Sequence, residues 1–66
     1  MIFWRVRFNG GTEHGYQVMD AGLNLIGVYD DAGNKITSAI DYTTIDSGDD
    51  PKIGVAAPSW AATINA

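Results

Sequence analysis

Apolar and polar residues alternate from the start of the chain. Ile2, Trp4, Val6 and Phe8 share one parity, and Phe3, Arg5 and Arg7 share the other. A period of two sends these sets to opposite faces of a strand, so residues 2–8 predict a strand with the first set as core. The second set, one aromatic and two cations, predicts a solvated face with the arginines paired to Asp on a neighbouring strand. Residues 16–19 repeat the alternation, with Tyr16 and Val18 opposed to Gln17 and Met19. Residues 24–29, NLIGVY, have strand composition, and Gly27 in their middle predicts a bulge or the close approach of another element, with the Trp4 indole as candidate.

The stretch from Val18 to Ile36 organises the rest, because two turn signals punctuate it. Asp20-Ala21-Gly22 and Asp31-Ala32-Gly33 carry the same letters, followed by Asn24 and Asn34. Asp opens a turn by accepting a backbone N–H two residues on, and Gly supplies positive φ. Two copies at so short a period read as similar turns, not as a solenoid. Residues 29–36 predict a hairpin loop longer than two residues, a type I turn followed by Gly33 in the left-handed region. Asn9-Gly10 predicts another hairpin turn across residues 9–12.

Residues 35–45, KITSAIDYTTI, fit either period. As a helix they align Ile36, Ala39, Ile40 and Thr43, and as a strand Ile36, Ser38, Ile40 and Tyr42. Their Ile, Thr and Tyr content favours a strand, with a bulge or an end near Thr43 because Ile45 falls on the wrong parity. An acidic loop at residues 46–51 and a short last strand at 52–56 follow, ended by Pro58. The expected fold is all-β, with about five short antiparallel strands in a meander or small open barrel. It divides into a β domain, residues 1–58, and a docking tail, residues 59–66. The tail is uncharged apart from the terminus and carries Trp60 and Ile64, unlike a solvated disordered end. Ser59 is placed to cap a single helical turn, or the tail extends as an arm. It docks on its own domain or on a neighbour.

Size changes the picture. A chain of 66 residues buries only about 60% of its unfolded surface, and domains so small lean on disulfides, a metal or a partner. With no cysteine and one His, disulfides, thiolate sites and imidazole-rich metal sites are excluded, which leaves a partner or self-association. The formal charge of −4, with only 4 Lys and Arg, argues against general nucleic-acid binding and against anionic membranes. No apolar run is long enough to span a bilayer, and the N-terminal residues lack the basic start and apolar stretch of a secretory leader.

Candidate chemistry is sparse. His14 beside Glu13 suggests a general base, against the plainer reading of an exposed loop His. No nucleophile elbow, phosphate-binding loop or dinucleotide fingerprint is present. The chain therefore reads as non-enzymatic, with no catalytic residue and no cofactor. Asp30, Asp31 and Asn34 suggest a weak calcium site, as do Asp46, Asp49 and Asp50, but turn chemistry explains both groups. Phe3, Arg5 and Arg7 suggest a module for an oligonucleotide or basic peptide. The leading expectation is a structural assembly subunit that binds copies of itself or a larger lattice through open strand edges and the tail. Its candidate interface is Phe3, Arg5, Arg7, Trp60 and Ile64. By type, such a chain suits a bacteriophage virion assembled in the host cytoplasm, as a head decoration or cement protein or a minor tail or neck piece.

Overall fold

The computed structural model describes residues 1–8, 13–38 and 40–64. Its strands are β1 (Ile2–Phe8), β2 (His14–Met19), β3 (Leu25–Asp30) and β4 (Tyr42–Asp46), followed by a single 3-10 turn at Ala61–Thr63. They form one open antiparallel sheet in the order β3-β2-β1-β4. The expected all-β class holds, with four strands in place of about five. β1 to β3 are a meander, and β4 returns to the far side of β1, which makes the topology a Greek key. The hairpin turn expected at residues 9–12 lies outside the described residues.

β1 is central, and its backbone groups can be accounted for strand by strand. The Phe8 N–H donates to the Glu13 carbonyl at 3.0 Å, so even residues of β1 point their backbone groups at β2. Odd residues point the other way. Arg7 meets Thr43 and Arg5 meets Asp46, with a bulge that leaves Ile45 unpaired. The bulge expected near the end of this strand is therefore present. Beyond Arg5, Phe3 finds its partner in Gly54–Val55, where the Val55 N–H donates to the Phe3 carbonyl at 2.7 Å. This parallel bridge replaces the strand expected at residues 52–56. Gly54 sits at φ +80°, and a Cβ there would stand 2.9 Å from the Phe3 nitrogen, so the contact is a point approach by a turn.

Residues 35–45 are neither one strand nor a helix. Lys35 bridges Tyr29, the Ile36 N–H donates to the Val28 carbonyl at 2.8 Å, and the chain then leaves the sheet until Tyr42. The physical reason is coverage. Ile36, Ile40 and Tyr42 pack on the buried side chains of Val6, Phe8 and Val28 and close one face of the sheet. A single straight strand at β3's edge would leave that face in water.

The other face is closed over Phe3, contrary to the expectation of a solvated face, and stays open at Arg7. Phe3 is 3% exposed and packs with Val18 and Tyr29, and Val55, Trp60, Ala61 and Ile64 cover them. Both faces of β1 thus contribute core, and Trp4 on the expected core side is only half-buried, its Nε1–H donating to the Pro51 carbonyl at 3.1 Å. Gly27 does sit at a bulge, between the Val18 and Met19 pairings. The neighbour that crowds it is the Lys35 stem, whose Cε lies 2.9 Å from where a Cβ would stand, and not Trp4.

Candidate functional site

The β2–β3 and β3–Lys35 turns share one hydrogen-bond pattern. The Asp20 carboxylate accepts the N–H groups of Gly22 and Asn24 at 2.8 and 3.0 Å, and the Asp30 carboxylate accepts those of Ala32 and Asn34 at 2.9 Å each. Each Asn side-chain amide returns to the same carboxylate. The structural repeat is therefore Asp-x-x-x-Asn, aligning Asp20 with Asp30 and Leu23 with Gly33. The Asp-Ala-Gly letters, offset by one between the turns, are incidental. The Asn24 and Asn34 backbone bonds, first among several such bonds, hold the Asp20 and Asp30 carboxyls below the ordinary carboxylate range. Gly33 is at φ +89°, as expected for its turn.

The second turn positions the tail. The Trp60 ring lies edge-on to Phe3 at 6.2 Å and to Tyr16 at 5.5 Å, and tilted over Tyr29 at 5.4 Å between centroids. Its Nε1–H donates to the Asp31 carbonyl at 3.0 Å. A Cβ on Gly33 would stand 2.7 Å from the indole Cγ, so the glycine is needed for the ring as well as for the turn. Asp31 also holds Arg5, Nη1 to Oδ1 at 2.6 Å, and the guanidinium lies 4.3 Å from the centroid of the Tyr16 ring. The bond to Asp31 raises the Arg5 pKa further above its ordinary value. Arg5 thus has the Asp partner expected, supplied by a turn and not by a strand.

Of the five expected interface residues, the fold brings Phe3, Trp60 and Ile64 together in one internal cluster, with Arg5 at its rim. The tail docks on its own sheet, in a 3-10 turn whose first residue makes no side-chain cap; Ser59 does not cap it, and Thr63 Oγ1 donates to the Trp60 carbonyl at 2.7 Å. Arg7 is exposed, opposite His14 and Thr43. Phe3 offers no face for a nucleobase, since the Trp60 cluster covers it.

His14 is the first residue of β2, half-buried, and not a loop residue as expected, because its backbone continues the β1 ladder opposite Arg7. It lines an open cavity of about 470 Å³ with Phe8, Glu13, Asp30, Asp31 and Ile36. Asp30 is turned into its own loop and Asp31 onto Arg5, and among the described residues no hydroxyl nucleophile lines the space. The acidic clusters behave alike. Asp46 accepts the Gly48 N–H and Asp50 the Lys52 N–H, each at 2.8–2.9 Å. Among the described residues no three His, Asp or Glu side chains converge on a possible metal position.

What sequence reasoning missed is the apolar surface. Met1, Leu23, Leu25, Ile45 and Ile53 are large, apolar and 42–70% exposed. Four of them gather at one end of the sheet: Leu25 continues the Ile2–Met19 row, Met1 and Leu23 flank it, and Ile53 precedes the Gly54 that meets Phe3. Strict alternation sets Leu25 with Gly27 and Tyr29, and only the bulge moves it into the Met19 row; the turn position of Leu23 was readable beforehand. The return of Ile53 to that end was not.

The fold and these surfaces define a small Greek-key β-sheet protein with an apolar cluster on each face. Comparison of the chain with protein-family models, with curated proteins and with solved structures finds no match.

Proposed function

We propose that the protein is a non-enzymatic assembly subunit that binds copies of itself or a larger protein lattice. The observation that carries this reading is the exposure of Met1, Leu23, Leu25 and Ile53 toward one end of the sheet of a 66-residue chain. Small monomers leave single apolar residues in water, whereas a gathering of four marks a surface that another protein covers. The reading is supported by the side-chain chemistry, since the Asp20, Asp30, Asp31, Asp46 and Asp50 carboxylates each take a partner within the chain. A virion component of a bacteriophage, as a head decoration or cement protein or a minor tail or neck piece, is the particular setting proposed.

Light scattering with circular dichroism on the isolated chain tests it. A folded oligomer supports self-assembly, and an unfolded chain supports completion on a larger partner. A folded monomer at millimolar concentration, unchanged in stability and solubility by Leu25→Asp with Ile53→Asp, overturns the reading.

A further inference from the structure

We infer that the outer edge of β4 is a strand-addition site whose occupant is a second copy of this chain, paired antiparallel about Thr43. The inference deepens the assembly reading and rests on it: it names the partner and the register.

The two edges of the sheet are treated differently. Toward the end of β3 the outward groups are those of Val28 and Asp30, and the Val28 carbonyl and the Asp30 N–H are used. The Asp30 N–H donates to the Asn34 carbonyl at 3.0 Å, and Val28 accepts from Ile36 at 2.8 Å. A piece of the chain thus closes that edge from Val28 to Asp30. On β4, Thr43 faces Arg7 and spends its backbone groups on β1, so Tyr42 and Thr44 point theirs outward. Among the described residues nothing pairs with them. An open edge is ordinarily blocked by Pro, Lys or an inward charge. Tyr42, Thr43 and Thr44 carry none of these, and the Ile45 bulge lies beyond them.

The spacing of the outward groups selects the partner. A two-fold axis through Thr43 sets Tyr42 of one copy opposite Thr44 of the other, and the same again in reverse. Each such pair exchanges both of its N–H···O=C bonds, so every outward group of Tyr42–Thr44 is satisfied by its own sequence. This register opposes Asp41 to Ile45 and keeps the carboxylates apart. A slip of one residue either way sets outward groups against inward ones, and the slip toward Asp46 also brings Asp41 against Asp46 at both ends. The paired segment is uncharged, so the net charge of −4 on each copy acts only from a distance.

Thr43 is exposed and the chain has no cysteine, so Thr43→Cys introduces a single thiol at the axis. Directly opposed residues in a non-hydrogen-bonded pair lie within disulfide reach. Under mild oxidation Thr43→Cys should form a covalent dimer about tenfold faster or more than Thr63→Cys, an exposed site away from the edge. Thr44→Pro removes one outward N–H and spares the β1 ladder, so it should abolish association with the β circular dichroism signal intact. Cross-linking no faster than Thr63→Cys overturns the inference, whether or not Thr44→Pro folds. If the wild type is nonetheless oligomeric, the edge fails and the assembly reading stands. A wild type that is a folded monomer at all concentrations sinks the second copy as occupant, and sinks the assembly reading too when Leu25→Asp with Ile53→Asp changes neither its stability nor its solubility. A monomer whose edge takes up an extended foreign peptide overturns the second copy as occupant.

Discussion

Leu23 and Gly33 occupy the same position of the same turn, at φ +66° and +89°. Glycine tolerates that region, whereas a side chain costs about 1–2 kcal/mol there. Leu23 is 49% exposed, so little burial offsets the strain. Leu23→Gly should stabilise the monomer by about 0.5–1 kcal/mol after the greater entropy of unfolded glycine is counted, seen as a higher urea midpoint. Gly33→Ala should destabilise by about 1–2 kcal/mol or more, since it combines the backbone strain with a collision at Trp60. A functional reason for keeping Leu23 would appear as lost assembly in the stabilised variant. The two anchoring carboxylates give a pH dependence. Asp20 and Asp30 titrate below their ordinary 3.8 when folded, so the unfolded chain takes up their protons first as the pH falls. Their contribution is complete above the unfolded value and is lost as the pH drops through the folded values. Urea titrations across this acid range should show a shallower loss for Asp20→Asn with Asp30→Asn than for wild type.

At the scale of elements, the tail is a structural layer. Trp60→Ala should cost about 2–3 kcal/mol, less than a fully buried tryptophan because the ring is only half-buried. Arg5→Ala should cost about 1 kcal/mol, from a partly exposed ion pair and a cation–π contact. Both are read by chemical denaturation with tryptophan fluorescence. Deletion of residues 59–66 should strip the cover from Phe3 and Tyr29 and lower or abolish the β signal. How far the elements were legible follows from which forces are local. β1 was readable to the residue because its alternation is strict, and Gly33 was readable because a left-handed turn position selects for glycine. Residues 35–45 were not, since Ile36 and Ile40 answer to a face of the sheet that belongs to β1 and β3. The candidate site was legible only in part. Trp60 announced itself as a docking residue by its place in an uncharged tail, but the destination of the ring depends on Phe3, Tyr16 and Tyr29 meeting on one face.

At the scale of the molecule, β1 has strands on both sides and cover on both faces, and β4 has neither a second strand nor much burial. Val6 and Val18 are fully buried, while Thr43, Thr44 and Ile45 are exposed. Hydrogen exchange should therefore be slowest for the paired amides of β1 and β2, and fastest among strand amides for the outward Thr44, with protection of Thr44 rising with concentration. Uniform protection across the four strands would argue against a stability gradient toward that edge.

Composition and alternation alone determined that this chain is all-β, that disulfides play no part in it, and that turns fall after β2 and β3. Those properties reside in single residues or neighbours: a side chain's size, the absence of a thiol, a carboxylate reaching an amide two or four positions on. Only the tertiary structure decided that Phe3 on the Arg-bearing face of β1 is covered, that Trp60 and Ile64 fold back on their own sheet, and that one edge is closed at Val28–Asp30 while the other is open. Each of these depends on which distant segment arrives beside β1, and a Greek-key connection brings together residues whose separation in sequence leaves no periodic mark.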